Sequence, residues 1–170
     1  MKRLIVALAC ALVASTAHAD HWFSLGYIDE VSMLVNVDSF NTDEDGYCGV
    51  WVGYVYPYRN DYTFEMAFLK FSEIAFKYKK EDEFRYTNDK LTNEWHSQIA
   101  FWRRPAPSSK MAKALQKIII MSKDPNQTTI TGSYYEDNGD PVKFFTEYRN
   151  TEIKLQNIFN ELKATQTDKP

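Results

Sequence analysis

The chain has 170 residues, 20 of them basic and 23 acidic, with 44% apolar and 15% aromatic content. That composition is globular and excludes disorder, collagen and coiled coil. The acidic balance argues against a general nucleic-acid binder, which would need a basic face.

The first nineteen residues read as an export signal. Lys2 and Arg3 form a basic start, residues 4–13 an apolar run, and Ala17-His18-Ala19 a small-residue cleavage site. Residues 20–170 are then expected to form a single domain, long enough to bury roughly 68–70% of its unfolded surface. No later apolar run approaches the ~20 residues of a membrane helix, so no transmembrane span is expected. The last third also lacks the evenly spaced strands of about ten residues that a membrane barrel uses. Acylation of Cys10 is the competing way of processing the leader. The apolar stretch before it is short, however, and Ala7-Leu8-Ala9 puts its Leu at the wrong place for a lipobox. Cleavage after Ala19 leaves Cys48 alone, which precludes an internal disulfide. Cys48 reads as a buried or half-buried thiol, with an intermolecular bridge as the alternative.

Residues 22–102 read as strands. The run 31–37 is rich in branched residues, and 50–56 (VWVGYVY) is dense in β formers. Asp45-Gly46 between them is a tight-turn dipeptide, with residues 41–44 lengthening the loop. Residues 57–60 end that strand and 62–72 start another. Alternation follows: Ile74, Phe76 and Tyr78 on one side, Ala75, Lys77 and Lys79 on the other, resumed by Phe84 and Tyr86 against Glu83 and Arg85. This period of two predicts a sheet covered on one side only. Asn88-Asp89 is a turn, and 91–102 a weaker strand region.

Residues 103–107 break the sheet, and Ser108-Ser109 offers helix caps. Met111, Leu115, Ile118, Ile119 and Ser122 fall on one helical face. Residues 124–139 form a loop region with a short strand at 128–135. Asp140 caps and Pro141 begins a longer helix. Its Phe145, Tyr148, Leu155, Phe159 and Leu162 recur at helical spacing, a stripe that could dock on the chain's own sheet or on a partner, with its own sheet the default expectation. Strands first and helices last predict an α+β domain: an antiparallel sheet with a helix packed on it, plus an additional C-terminal helix.

Enzyme signatures are missing: there is no GxSxG, HExxH, P-loop or GxGxxG among the six glycines. His21 and His96 have no serine or cysteine partner at motif spacing. A non-enzymatic protein is expected, with a hydrolase using His96 as the residual catalytic reading. The run Asn41-Thr42-Asp43-Glu44-Asp45-Gly46 has the shape of a calcium loop, but Val52 stands where a bidentate Glu belongs. An acidic hairpin loop is the better reading, and no metal or cofactor is expected.

Lys70, Lys77, Lys79, Lys80 and Arg85, with Tyr78 among them, collect in one strand-rich stretch. Alternation puts Lys77, Lys79 and Arg85 on one exposed face that could attract sulfated glycans or acidic proteins. The plainer account is a solvated strand face with Lys guarding an edge, partly neutralised by Glu81, Asp82 and Glu83. Four Trp, eleven Tyr and eleven Phe exceed what a core of this size demands, which favours an interface for some of them, while most are expected in the core.

Tyr27-Ile28-Asp29 with Ser32 shortly after resembles the opening of the surface-adhesin protein E family of Gram-negative bacteria. Val50-Trp51-Val52 followed by Val55-Tyr56-Pro57 looks like its next strand. The strand pair 62–86, Trp95, Trp102 and Pro107-Ser108 leading into helix 111–120 are similar in order and spacing, so the resemblance covers residues 22–121. It implies a small antiparallel sheet with a helix packed against it, often a homodimer, in the periplasm or on the cell surface. It also implies binding of host matrix or serum proteins through the basic strand region, here residues 70–85. The family's disulfide has no counterpart, since Glu73-Ile74 and Ile119-Ile120 stand at the matching places, and residues 122–170 are an extension. The expected function is an exported binding protein whose partner is a host protein or a bacterial envelope protein. The alternative is a soluble periplasmic inhibitor or immunity-type protein that covers an enzyme cleft.

Overall fold

The computed structural model describes residues 19–28, 30–96, 100–124 and 130–167, with side chains described as far as residue 164. The expected signal peptide up to His18, together with Cys10, Asp29 and the start of the strand at 128–135, lies outside the described residues. The elements are β1 (His21–Ile28), β2 (Val31–Asn36), a 3-10 turn (Val37–Ser39), β3 (Asn41–Thr42), β4 (Cys48–Val55), β5 (Phe64–Ser72), β6 (Lys77–Thr87), β7 (Lys90–His96), α1 (Lys110–Lys123), β8 (Ser133–Glu136) and α2 (Pro141–Thr167). Their order confirms the α+β reading. The strands form one antiparallel sheet in the order β7-β6-β5-β4-β2-β1-β8, with β3 paired to β4.

Local chemistry explains the joints. Asn88 and Asp89 both take positive φ, 49° and 63°, the mirror-image turn that matches strand twist in a two-residue hairpin. The Asp43 carbonyl accepts from the Gly46 N–H at 3.0 Å, and Gly46 at φ 77° closes the turn between β3 and β4. Ser109 caps α1 by accepting from the Ala112 N–H at 3.1 Å. The Asp140 carboxylate does the same for α2, accepting from the Lys143 N–H at 3.0 Å.

The sheet is covered on both faces over its middle strands, not on one. On one side Met33, Val35, Val52, Ala67, Leu69 and Phe71 pack against Leu115, Ile118 and Met121 of α1. On the other, Trp22, Leu34, Val55 and Phe64 receive Phe145 and Tyr148 of α2. The buried strands read as near-continuous apolar runs for that reason, and the alternation in residues 74–86 belongs to the outer strands alone. Ile74, placed by its period in a strand, sits in the β5–β6 turn and is fully exposed.

Only the first half of α2 docks, which corrects the expectation that its whole stripe would. Phe145 lies over Gly53, and the Tyr148 hydroxyl is 3.0 Å from Ser32 Oγ. The Arg149 guanidinium donates to the carbonyls of Tyr56, Pro57 and Arg59, and the Tyr27 hydroxyl donates to Glu152. Beyond Glu152 the helix leaves the sheet, and Leu155, Phe159 and Leu162 are exposed.

Candidate functional site

The arrangement of the basic stretch turns on one residue. In the β5–β6 ladder Leu69 pairs with Lys80 and Phe68 with Asp82, so Glu81 is an extra residue, a bulge. A one-residue insertion flips every later side chain to the other face. Lys77 and Lys79 therefore share a face with Lys70, while Tyr78, Lys80 and Arg85 point to the opposite one. The sequence-based placement of Lys77, Lys79 and Arg85 on one face is thus corrected: unbroken period two cannot register a bulge.

The face carrying Tyr78, Lys80 and Arg85 is the one α1 covers farther in. Beside the N-terminal end of α1, the outer strands leave a groove of about 540 Å³. Tyr54, Lys80, Glu83, Arg85, Trp95, Phe101 and Arg103 line it. Arg103 is placed by backbone pairing with Tyr78, its N–H donating to the Tyr78 carbonyl at 2.8 Å. Trp95 and Phe101 remain 44% and 80% exposed, large apolar surfaces at the mouth.

Beneath the groove Glu65 is buried at 2% exposure. Lys80 donates to its carboxylate, the Tyr56 hydroxyl lies 3.4 Å from it, and Arg85 Nε stands at 3.6 Å. Arg85 Nη2 also pairs with Glu83 at 2.6 Å. Burial acts to lower the Arg85 pKa, but the carboxylates of Glu83 and Glu65 outweigh it and the net shift is upward. Burial, then the Glu65 charge, lifts the Tyr54 hydroxyl far above the tyrosine range, so it stays protonated. The Lys80 ammonium sits 4.4 Å from the Tyr54 ring centre, a second anchor for a cation already paired with Glu65. Arg85 Nε is buried without a hydrogen-bond partner among the described residues. The groove is therefore a fixed set of cations and aromatic faces. It offers stacking for an apolar side chain and charge-assisted hydrogen bonds for an acidic one.

On the other face Lys70 is paired with Asp43, and Lys79 reaches Glu81 at 2.6 Å. Lys77 lies over the Trp102 ring at 4.3 Å, with Tyr47 beside it. Asp43 belongs to the calcium-shaped run, and its carboxylate is occupied by Lys70 and by the Tyr47 N–H at 2.8 Å. The bond from Lys70 is the main reason its pKa lies below the ordinary Asp value. Cys48 is half-buried, its Sγ 3.6 Å from Thr42 Oγ1. His96 is held between Asp82 and Glu94 on β6–β7, bonds that raise its pKa above 6.5.

Of the six residues singled out from sequence, the structure brings Tyr78, Lys80 and Arg85 into the groove and puts Lys70, Lys77 and Lys79 on the reverse face. Sequence reasoning missed Tyr54, Glu65, Phe101, Arg103 and the Met111 end of the groove. The one available signal was an unusual density of aromatics and arginines around residues 95–104, directly after the strands. No family model, curated protein or solved structure matches this chain.

Proposed function

We propose that the protein is a non-enzymatic binding module of the bacterial envelope, exported by residues 1–19, that holds a segment of another protein in the β6–β7 groove. The observation that carries this reading is the pairing of exposed Trp95 and Phe101 with Lys80, Arg85 and Arg103 around one concavity. Exposed aromatics next to partly exposed cations, two of them held by Glu65 and Glu83, are the composition of an interface core, since they combine large apolar area with low ordering cost. The lining carries three cations against Glu83, with Glu65 below, which favours a partner segment with an acidic side chain beside an apolar one. The resemblance to the surface-adhesin protein E family supports a host matrix or serum protein as that partner.

The two-faced arrangement makes the test specific. Binding of the exported protein to immobilised matrix and serum proteins is measured for Trp95→Ala with Arg103→Glu, and separately for Lys77→Glu with Lys79→Glu. The groove pair is expected to weaken binding about tenfold or more and to reduce its salt dependence. The reverse-face pair is expected to leave binding within about twofold. Equal losses from both pairs, or loss from the reverse-face pair alone, would refute the groove. Protease shaving of intact cells tests the surface placement. Survival of the protein until the outer membrane is opened, with a bacterial enzyme co-purifying in stoichiometric amount, would replace the adhesin with a periplasmic inhibitor.

A further inference from the structure

The free end of α2 carries its own message, independent of the groove. Phe145, Tyr148, Arg149 and Glu152 tie the helix to the sheet, and past them Leu155, Ile158 and Phe159 stand 57%, 53% and 60% exposed. At about 100° per residue these three share one narrow stripe. The helix continues for roughly four turns beyond its last anchor. A segment of that length with Ile, Phe and Asn in it is marginal as an isolated helix in water. Covering the stripe would stabilise the segment, and the charges beside it select what covers it.

Lys154 and Glu161 stand one heptad apart and line the same edge of the stripe. Their midpoint lies between Asn157 and Ile158. Reversing the helix about that point exchanges Lys154 with Glu161. A second copy laid antiparallel on the first therefore meets opposite charge along that edge, at both ends of the contact. In the same register Ile158 lies within about one residue's rise of its own copy, and Phe159 within about one of Leu155. A contact that is self-complementary under a two-fold axis is the signature of an isologous dimer.

We propose that the exposed half of α2 pairs antiparallel with the same segment of a second copy, about a two-fold axis between Asn157 and Ile158. The few apolar side chains exposed on each copy bury less than the roughly 1,200–2,000 Å² of a standard interface, so the dimer is weak. Its dissociation constant is expected on the order of 10–100 μM.

Sedimentation equilibrium of the exported protein, from about 1 μM to about 1 mM, reads the association directly. The mass is expected to rise from monomer to dimer across that range. Phe159→Asp should weaken the dimer about tenfold or more while leaving the unfolding midpoint of the dilute protein unchanged, because the ring is exposed. Glu161→Lys sets like charges against each other and should weaken it too. Adding Lys154→Glu restores opposite charges and should recover the association. A monomer at every concentration overturns the proposal, as does a dimer indifferent to Phe159→Asp. A double charge reversal weaker than the single one overturns the antiparallel register. A monomer that instead binds phosphatidylethanolamine–phosphatidylglycerol vesicles, and loses that binding with Phe159→Asp, would assign the stripe to a lipid surface and overturn it as well.

Discussion

Gly53 is where α2 gains its hold on the sheet, and substituting it should act at a distance. A Cβ added at Gly53 would stand 2.3 Å from two atoms of the Phe145 ring, closer than real carbon contacts allow. The ring has nowhere to retreat. It is fully buried, edge-on to Trp22 at 4.7 Å and stacked on Phe64 at 5.0 Å. Gly53→Ala must therefore lift the first turns of α2, and overpacking of this kind costs about 1–3 kcal/mol. Phe145→Ala alone should cost about 3–5 kcal/mol through lost burial and the cavity it leaves. In the Phe145→Ala background the clash is gone, and Gly53→Ala should become neutral or gain about 0.5–1 kcal/mol by stiffening the strand. The two changes are thus expected to couple by about 1–4 kcal/mol. Urea unfolding of the four proteins, followed by tryptophan fluorescence, measures that cycle. For a domain of this size the Gly53→Ala cost corresponds to roughly 2–4 °C per kcal/mol in melting temperature. Additivity within about 0.5 kcal/mol would refute the packing argument.

Three further outcomes follow from the site and its supports. Lys80→Met removes the cation that Glu65 leans on and leaves a buried carboxylate, which should cost about 2–4 kcal/mol in chemical unfolding. The double change with Glu65→Leu should recover part of it, and a double variant as unstable as the single one would contradict that account. His96 is protonated more readily than a free histidine because Asp82, then Glu94, bonds its ring. Its folded pKa exceeds the unfolded value, so its stabilising contribution is complete below about pH 6.5 and lost as pH rises through the folded pKa. An NMR titration should place His96 above 6.5 and show Asp82→Asn bringing it down; a value at or below 6.5 would refute the bonding. Ser109→Ala should cost about 1 kcal/mol by uncapping α1, and Ser109→Asn should cost close to nothing, read by thermal unfolding.

Much of the fold was legible because its signals are local. Asn88-Asp89 and Asp45-Gly46 mark turns through their own backbone preferences. Ser109 and Asp140 mark helix starts through side chains that reach N–H groups one turn away. The branched and aromatic runs of β2 and β4 identify strands by what they can bury. Strands before helices then lead to an α+β domain without any knowledge of which strand touches which.

The site was decided elsewhere. Whether Arg85 joins Lys80 or Lys79 depends on Glu81 bulging out of a ladder with β5, and that is a property of two strands in register, invisible to the parity of one. The groove joins Tyr54, Lys80, Trp95, Phe101 and Met111, residues spread over about a third of the chain that share a wall only because α1 stops short of β6 and β7. The α2 stripe reads as one continuous apolar face from Phe145 to Leu162, yet the sheet ends beneath it after Glu152. Composition and period name the residues that seek burial; the extent of the surface they meet decides which of them obtain it.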